Sequence, residues 1–128
     1  MNILNISAAI EVAKIFKVPQ SKIKAVILNF KGLPHRLEFV GKFNGIYFYN
    51  DSLATIPEAT IGALKALKDK VQTLILGGWD CNLCFKNLAK EILRKKIENL
   101  IFFPETGKKI FDEISRLKKN LKLKAFFV

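Results

Sequence analysis

The chain has 128 residues, with 22 Lys and Arg against 11 Asp and Glu, one His, two Cys, half of its residues apolar and a formal charge of +11. A chain this long buries about two-thirds of its unfolded surface, which excludes a scaffold dependent on disulfides, and its apolar content excludes disorder. Its longest apolar runs, Lys24 to Phe30 and Leu123 to Val128, are far shorter than a membrane span, and its charge favours anions of any kind without fixing a fold or an activity.

Ile3, Leu4, Ala8, Ile10, Ala13, Ile15 and Phe16 recur at helical spacing up to Val18-Pro19, which predicts a helix from Leu4 to Phe16. A second helix starts at Pro19, carries Ile23, Val26, Ile27 and Phe30, and ends at Gly32-Leu33-Pro34. From Arg36 to Tyr49 the period shortens to alternation around Asn44-Gly45, the signature of a β-hairpin. Strands and helices then alternate. A helix is expected over Pro57 to Leu67, a strand over Val71 to Leu76 closed by Gly77-Gly78, a helix over Phe85 to Lys96 and a strand over Leu100 to Phe103. A helix over Lys108 to Leu117 and a strand over Leu121 to Val128 complete the chain. This rhythm predicts an α/β fold, a mainly parallel sheet with helices on its faces, an N-terminal hairpin as an antiparallel edge and two leading helices. A soft boundary falls near Lys31 to His35.

In such sheets ligands gather at the carboxyl ends of strands, and three loops qualify. Asn50-Asp51-Ser52-Leu53-Ala54-Thr55 opens a helix: Asp51 can accept from sugar hydroxyls and Ser52 or Thr55 can donate to an anion, while the alternative is that Asp51 or Ser52 merely caps the helix. Gly77-Gly78-Trp79-Asp80-Cys81-Asn82 permits close backbone approach, and Glu105-Thr106-Gly107 leads into Lys108 and Lys109. Cys81 and Cys84 have C-x-x-C spacing, but a closed zinc site needs four ligands and only a distant His35 could join them, so free thiols are expected. His35-Arg36 follows a rigid Leu33-Pro34 lead, which would hold the planar Arg fork for phosphate or carboxylate. The phenylalanines lie in apolar runs and are expected in the core, and the lysines of the later helices are expected to be solvated. No G-x-x-x-x-G-K-[ST] loop is present.

Gly32-Leu33-Pro34-His35-Arg36-Leu37-Glu38, then Phe48-Tyr49-Asn50-Asp51-Ser52-Leu53-Ala54-Thr55, then Leu76-Gly77-Gly78, in this order, resemble the Mur ligases, and in particular their D-glutamate-adding branch. Asn2 and Asn5, followed by Ala8-Ala9, are similar to that family's H-N-x-x-N segment, with Met1 in the histidine's place. The resemblance implies an ATP- and Mg-dependent, amide-forming enzyme of peptidoglycan synthesis. It would couple UDP-N-acetylmuramoyl-L-alanine to D-glutamate through an acyl phosphate and a tetrahedral intermediate. It further implies that Asn2, Asn5, His35, Arg36 and Asp51 bind ATP, that Ser52, Thr55 and Cys81 line the D-glutamate site, and that the C-terminal domain is Rossmann-like. Leu53 and Cys81 stand where the family usually carries lysines, and Cys84 where an aspartate is common. On this likeness residues 1–31 are the helical end of a central ATPase domain and residues 32–128 a C-terminal ligase domain cut short at its end. Such a fragment, expected to be a cytoplasmic monomer without nucleic acid, would hold no catalytic or metal-binding residue and be inactive alone. The alternatives are a basic anion- or nucleic-acid-binding module and a catalytically degenerate Mur-like domain.

Overall fold

The computed structural model describes residues 3–128. Two helices lead, α1 (Ile3–Ile15) and α2 (Gln20–Asn29), with Pro19 at the N-cap of the second. Ile6, Ile10 and Ala13 of α1 and Ile23 and Ile27 of α2 are half-buried at spacings of three and four, and the two helices pack together. The rest of their apolar surface stays exposed, and neither helix contains a fully buried residue.

Strands β1 (Glu38–Phe43) and β2 (Ile46–Asn50) form the expected hairpin, with Phe43 opposite Ile46. Asn44 and Gly45 take φ of 49° and 84°, the two left-handed positions a tight hairpin turn requires. A bulge between Phe39 and Gly41 shifts the register, and ring pairs Phe39–Tyr49 and Phe43–Phe48, with centroids 5.5 and 5.7 Å apart, zip the ladder.

The remaining elements are α3 (Pro57–Leu67), a 3-10 turn (Lys68–Lys70), β3 (Thr73–Gly78), α4 (Lys86–Arg94), β4 (Asn99–Glu105), α5 (Thr106–Leu117) and β5 (Lys124–Phe127). The strands form a parallel sheet in the order β3-β4-β5. Right-handed crossovers in a sheet that grows in one direction place both connecting helices on the same side. Accordingly α4 packs on α5 and α3 on α4, with α5 lying over β3 and β4. Beneath them Leu64, Leu88, Ile92, Leu100, Phe102 and Ile114 are each at most 2% exposed. Each such side chain contributes about 1.5–3 kcal/mol by leaving water.

Several expectations are corrected. The hairpin is a two-stranded sheet of its own rather than an antiparallel edge of the larger one. Helices cover one face of the parallel sheet, not both: Ile75, Phe103 and Phe126 on the other face are 56%, 49% and 50% exposed. Most phenylalanines, Phe39 and Phe43 of the hairpin among them, lie outside the core. Apolar alternation specifies which face of a strand is greasy, not what covers it. Boundaries also move. β3 begins at Thr73 and runs through both glycines, because a Cβ on Gly77 would lie 2.6 Å from the Phe103 carbonyl oxygen, so only glycine lets β3 run this close to β4. β4 extends through Pro104 to Glu105, α5 starts at Thr106, α4 spans only Lys86–Arg94, and Leu121 and Leu123 pack on the core ahead of β5.

Candidate functional site

The segment that precedes β1 is knotted to the loop that follows β2. Asp51 Oδ1 accepts from the Leu37 N–H at 2.7 Å, and the Leu53 N–H donates to the His35 carbonyl at 3.1 Å. Glu38 Oε2 accepts from the His35 N–H at 2.7 Å, and Asn50 Oδ1 from the Ser52 N–H at 3.0 Å. The Asn50 amide nitrogen lies 2.8 Å from His35 Nδ1. His35 and Leu37 are both left-handed, at φ 60° and 46°, a costly conformation for a branched side chain such as leucine. Between them Arg36 donates its own N–H to the Leu33 carbonyl at 3.2 Å and leaves its side chain exposed, without an ion pair among the described residues. These hydrogen bonds hold the two left-handed residues in place on either side of Arg36.

The other two loops meet each other. At the carboxyl ends of β3 and β4, the Asp80 N–H donates to Glu105 Oε2 at 3.0 Å and Thr106 Oγ1 donates to the Gly78 carbonyl at 2.9 Å. The Asn82 N–H donates to Asp80 Oδ1 at 2.9 Å, and Lys109 Nζ is bound to Asp80 Oδ2. The Lys109 ammonium, helped by the Asn82 N–H, holds the Asp80 carboxyl below its ordinary range. This clamp orders the loop in which Cys81 and Cys84 stand free and exposed.

The sequence therefore anticipates three loops, of which the structure joins the first to the 32–38 segment and the second to the third. His35, Arg36, Asp51, Ser52 and Thr55 belong to the first assembly and Cys81 to the second. Thr55 and Ser52 are exposed, with the Thr55 N–H donating to the Leu53 carbonyl at 3.0 Å. Asn5 is exposed in the first turn of α1, and Asn2 lies outside the described residues. Sequence reasoning named Asn50, Glu38, Glu105 and Lys109 within motifs and loops but gave none of them the contact it makes. Asn50 and Asp80 were findable as side chains that accept the N–H two residues on; the contacts of Asp80 with Glu105 and Lys109 cross 25 and 29 positions and left no local signal.

As for cofactors, Asp51 Oδ2 has no hydrogen-bond partner among the described residues and the Arg36 guanidinium is exposed, so the knot fits a ligand rich in hydroxyls and phosphate oxygens. No group of three His, Cys, Asp or Glu side chains able to hold a metal occurs among the described residues. At the opposite end of the sheet a cavity of about 290 Å³ is bordered by Lys95, Lys96, Lys118 and Lys122. Those lysines sit at or beyond the carboxyl ends of α4 and α5, where the last backbone carbonyls attract cations, which accounts for them without a polyanion.

The chain is 41% identical over 111 residues to the UDP-N-acetylmuramoylalanine–D-glutamate ligase of Aquifex aeolicus, a match covering 87% of this chain and 26% of that protein. It is 43% identical over 106 residues to the ligase of the same name from Ligilactobacillus salivarius, covering 83% of this chain and 23% of the relative. The resemblance to the Mur ligases holds. UDP-N-acetylmuramate-alanine ligase MurC of Thermotoga maritima superposes on 99% of this chain and 29% of its own with a TM-score of 0.71, a likeness of fold at 19% identity. No family model matches. The chain spans about a quarter of the length of the Mur ligases it matches. No described helix is long and apolar enough to cross a membrane.

Proposed function

We propose that this chain is the part of an ATP-dependent D-glutamate ligase of peptidoglycan precursor synthesis that closes on the nucleotide and receives the amino acid. Residues 1–31 are then the helical end of the nucleotide-binding domain and residues 32–128 the ligase domain. The observation that carries this reading is the knot itself, because it ties together two of the stretches with the Mur likeness, 32–38 and 48–55. Arg36 supplies its guanidinium to nucleotide phosphates, Asp51 offers its second carboxylate oxygen to a ribose diol, and His35 lies beside them. Asn2 and Asn5 serve the adenine end of ATP, while the Ser52 and Thr55 hydroxyls and the Cys81 loop receive D-glutamate.

In this scheme the carboxylate of UDP-N-acetylmuramoyl-L-alanine takes the γ-phosphoryl group of ATP. The D-glutamate amine then adds to the acyl phosphate, and phosphate leaves from the tetrahedral intermediate. This chain contributes charge neutralisation and positioning, which dominate phosphoryl transfer, and Mg is held by residues outside it. Acting alone as a cytoplasmic monomer, it does not turn over.

Exchanging this chain for the matching 111-residue stretch of the Aquifex aeolicus ligase, and measuring phosphate release with ATP, UDP-N-acetylmuramoyl-L-alanine and D-glutamate, tests the reading. Release that depends on all three substrates is expected. A folded hybrid that binds the substrates and releases no phosphate would instead identify a catalytically degenerate domain.

A further inference from the structure

We infer that Asn50 is a positioning residue that locks His35, the chain's single histidine, as its Nε2–H tautomer, so that the ring presents a fixed Nε2–H donor at the mouth of the knot. The Ser52 N–H can only donate, and it donates to one end of the Asn50 amide at 3.0 Å, which must therefore be the oxygen. The other end is then the NH₂ group, which can only donate, and it lies 2.8 Å from His35 Nδ1. Nδ1 must accept, so it carries no proton, and in the neutral ring the proton resides on Nε2.

The remaining groups of His35 are spoken for. Its N–H is held by Glu38 Oε2 at 2.7 Å and its carbonyl by the Leu53 N–H at 3.1 Å. Glu38 Oε2 is also the carboxylate oxygen nearest Nδ1, at 3.9 Å, beyond hydrogen-bond reach. Nε2–H is left as the group with no partner among the described residues, on a side chain 57% exposed. It suits an oxygen acceptor such as a phosphate or sugar oxygen. Asn50 thereby joins two assignments made separately, since one amide fixes the donor of His35 and the backbone that carries Ser52. The tautomer stands on geometry alone; its use toward a nucleotide rests on the function proposed above.

With one histidine in the chain, long-range ¹H–¹⁵N correlation spectra of the uniformly labelled protein report this ring without ambiguity. At a pH where the ring is neutral, Nε2 is expected to be protonated and Nδ1 unprotonated and hydrogen-bonded. Asn50→Asp keeps the acceptor for Ser52 but places a carboxylate oxygen opposite Nδ1, and is expected to reverse the tautomer to Nδ1–H. Asn50→Ala should give exchange-averaged nitrogen shifts, with the backbone spectrum confirming the fold of each variant. A wild-type ring protonated on Nδ1, or an Asn50→Asp ring that stays on Nε2–H, overturns the inference. Measuring ADP binding by the hybrid ligase with and without Asn50→Asp separates the two ideas. Binding that weakens several-fold in Asn50→Asp supports both, whereas binding that Asn50→Asp leaves unchanged defeats the use of His35 toward a nucleotide and leaves the tautomer result as it stands.

Discussion

Cys81 is where chemistry and ancestry diverge most. Its thiol is exposed, and a thiol offers a weak donor and no fixed positive charge to a carboxylate. Since a hydrogen bond to a charged partner is worth about 1.5–3 kcal/mol, Cys81→Lys in the hybrid ligase is expected to lower the KM for D-glutamate about tenfold or more. Steady-state kinetics over a D-glutamate series checks this, and an unchanged KM removes Cys81 from the substrate site. Next to it, Asp80 has its carboxyl pulled down by Lys109, so the sign of its pH effect is fixed. The contribution of this ion pair is complete above the ordinary carboxylate range and is lost as the pH falls through the lowered value of Asp80. The Asp80 and Asn82 amide signals should hold steady at neutral pH and move only in acid. In Lys109→Met the same transition should shift upward. The chain itself told part of this story: Asp51, Ser52 and Arg36 stand out by residue type and neighbourhood. The first role of Asp51, accepting the Leu37 N–H, was hidden because it joins residues 14 apart.

At the level of elements, α4 and α5 were readable because their apolar residues recur every three to four positions and find a sheet to cover. The hairpin was readable because Asn44-Gly45 leaves few other turns open. Element ends were less so, since they depend on contacts across the sheet. β3 runs through Gly77 for the reason that β4 passes close against it. Gly77→Ala would meet both that clash and a backbone φ of 133°, and should cost about 2 kcal/mol in urea unfolding. Ile114, fully buried on α5, offers the comparison: Ile114→Ala leaves a cavity under the helix layer and should cost about 2–5 kcal/mol. Equal and negligible effects at both positions would mean that the packing between α5, β3 and β4 is not what holds the fold.

At the scale of the whole molecule, the charge of +11 and the layering have different explanations. Charge is distributed mainly over solvated lysines, several at helix ends. Layering follows from the order β3-β4-β5, which sends both crossovers to one side and leaves Ile75, Phe103 and Phe126 open on the other. The composition could not reveal this, because the amount of apolar residue in a chain is not the amount it buries. That uncovered face has a thermodynamic signature. The heat-capacity change on unfolding measures apolar surface newly hydrated, and about 1.5–1.9 kcal/mol/K is ordinary for a chain of this length. Surface already wet in the native state adds nothing to it, and here the bare sheet face, the hairpin and the two leading helices are all wet. Scanning calorimetry should therefore return an increment well below that range, and a correspondingly flat stability curve that declines slowly on both warming and cooling.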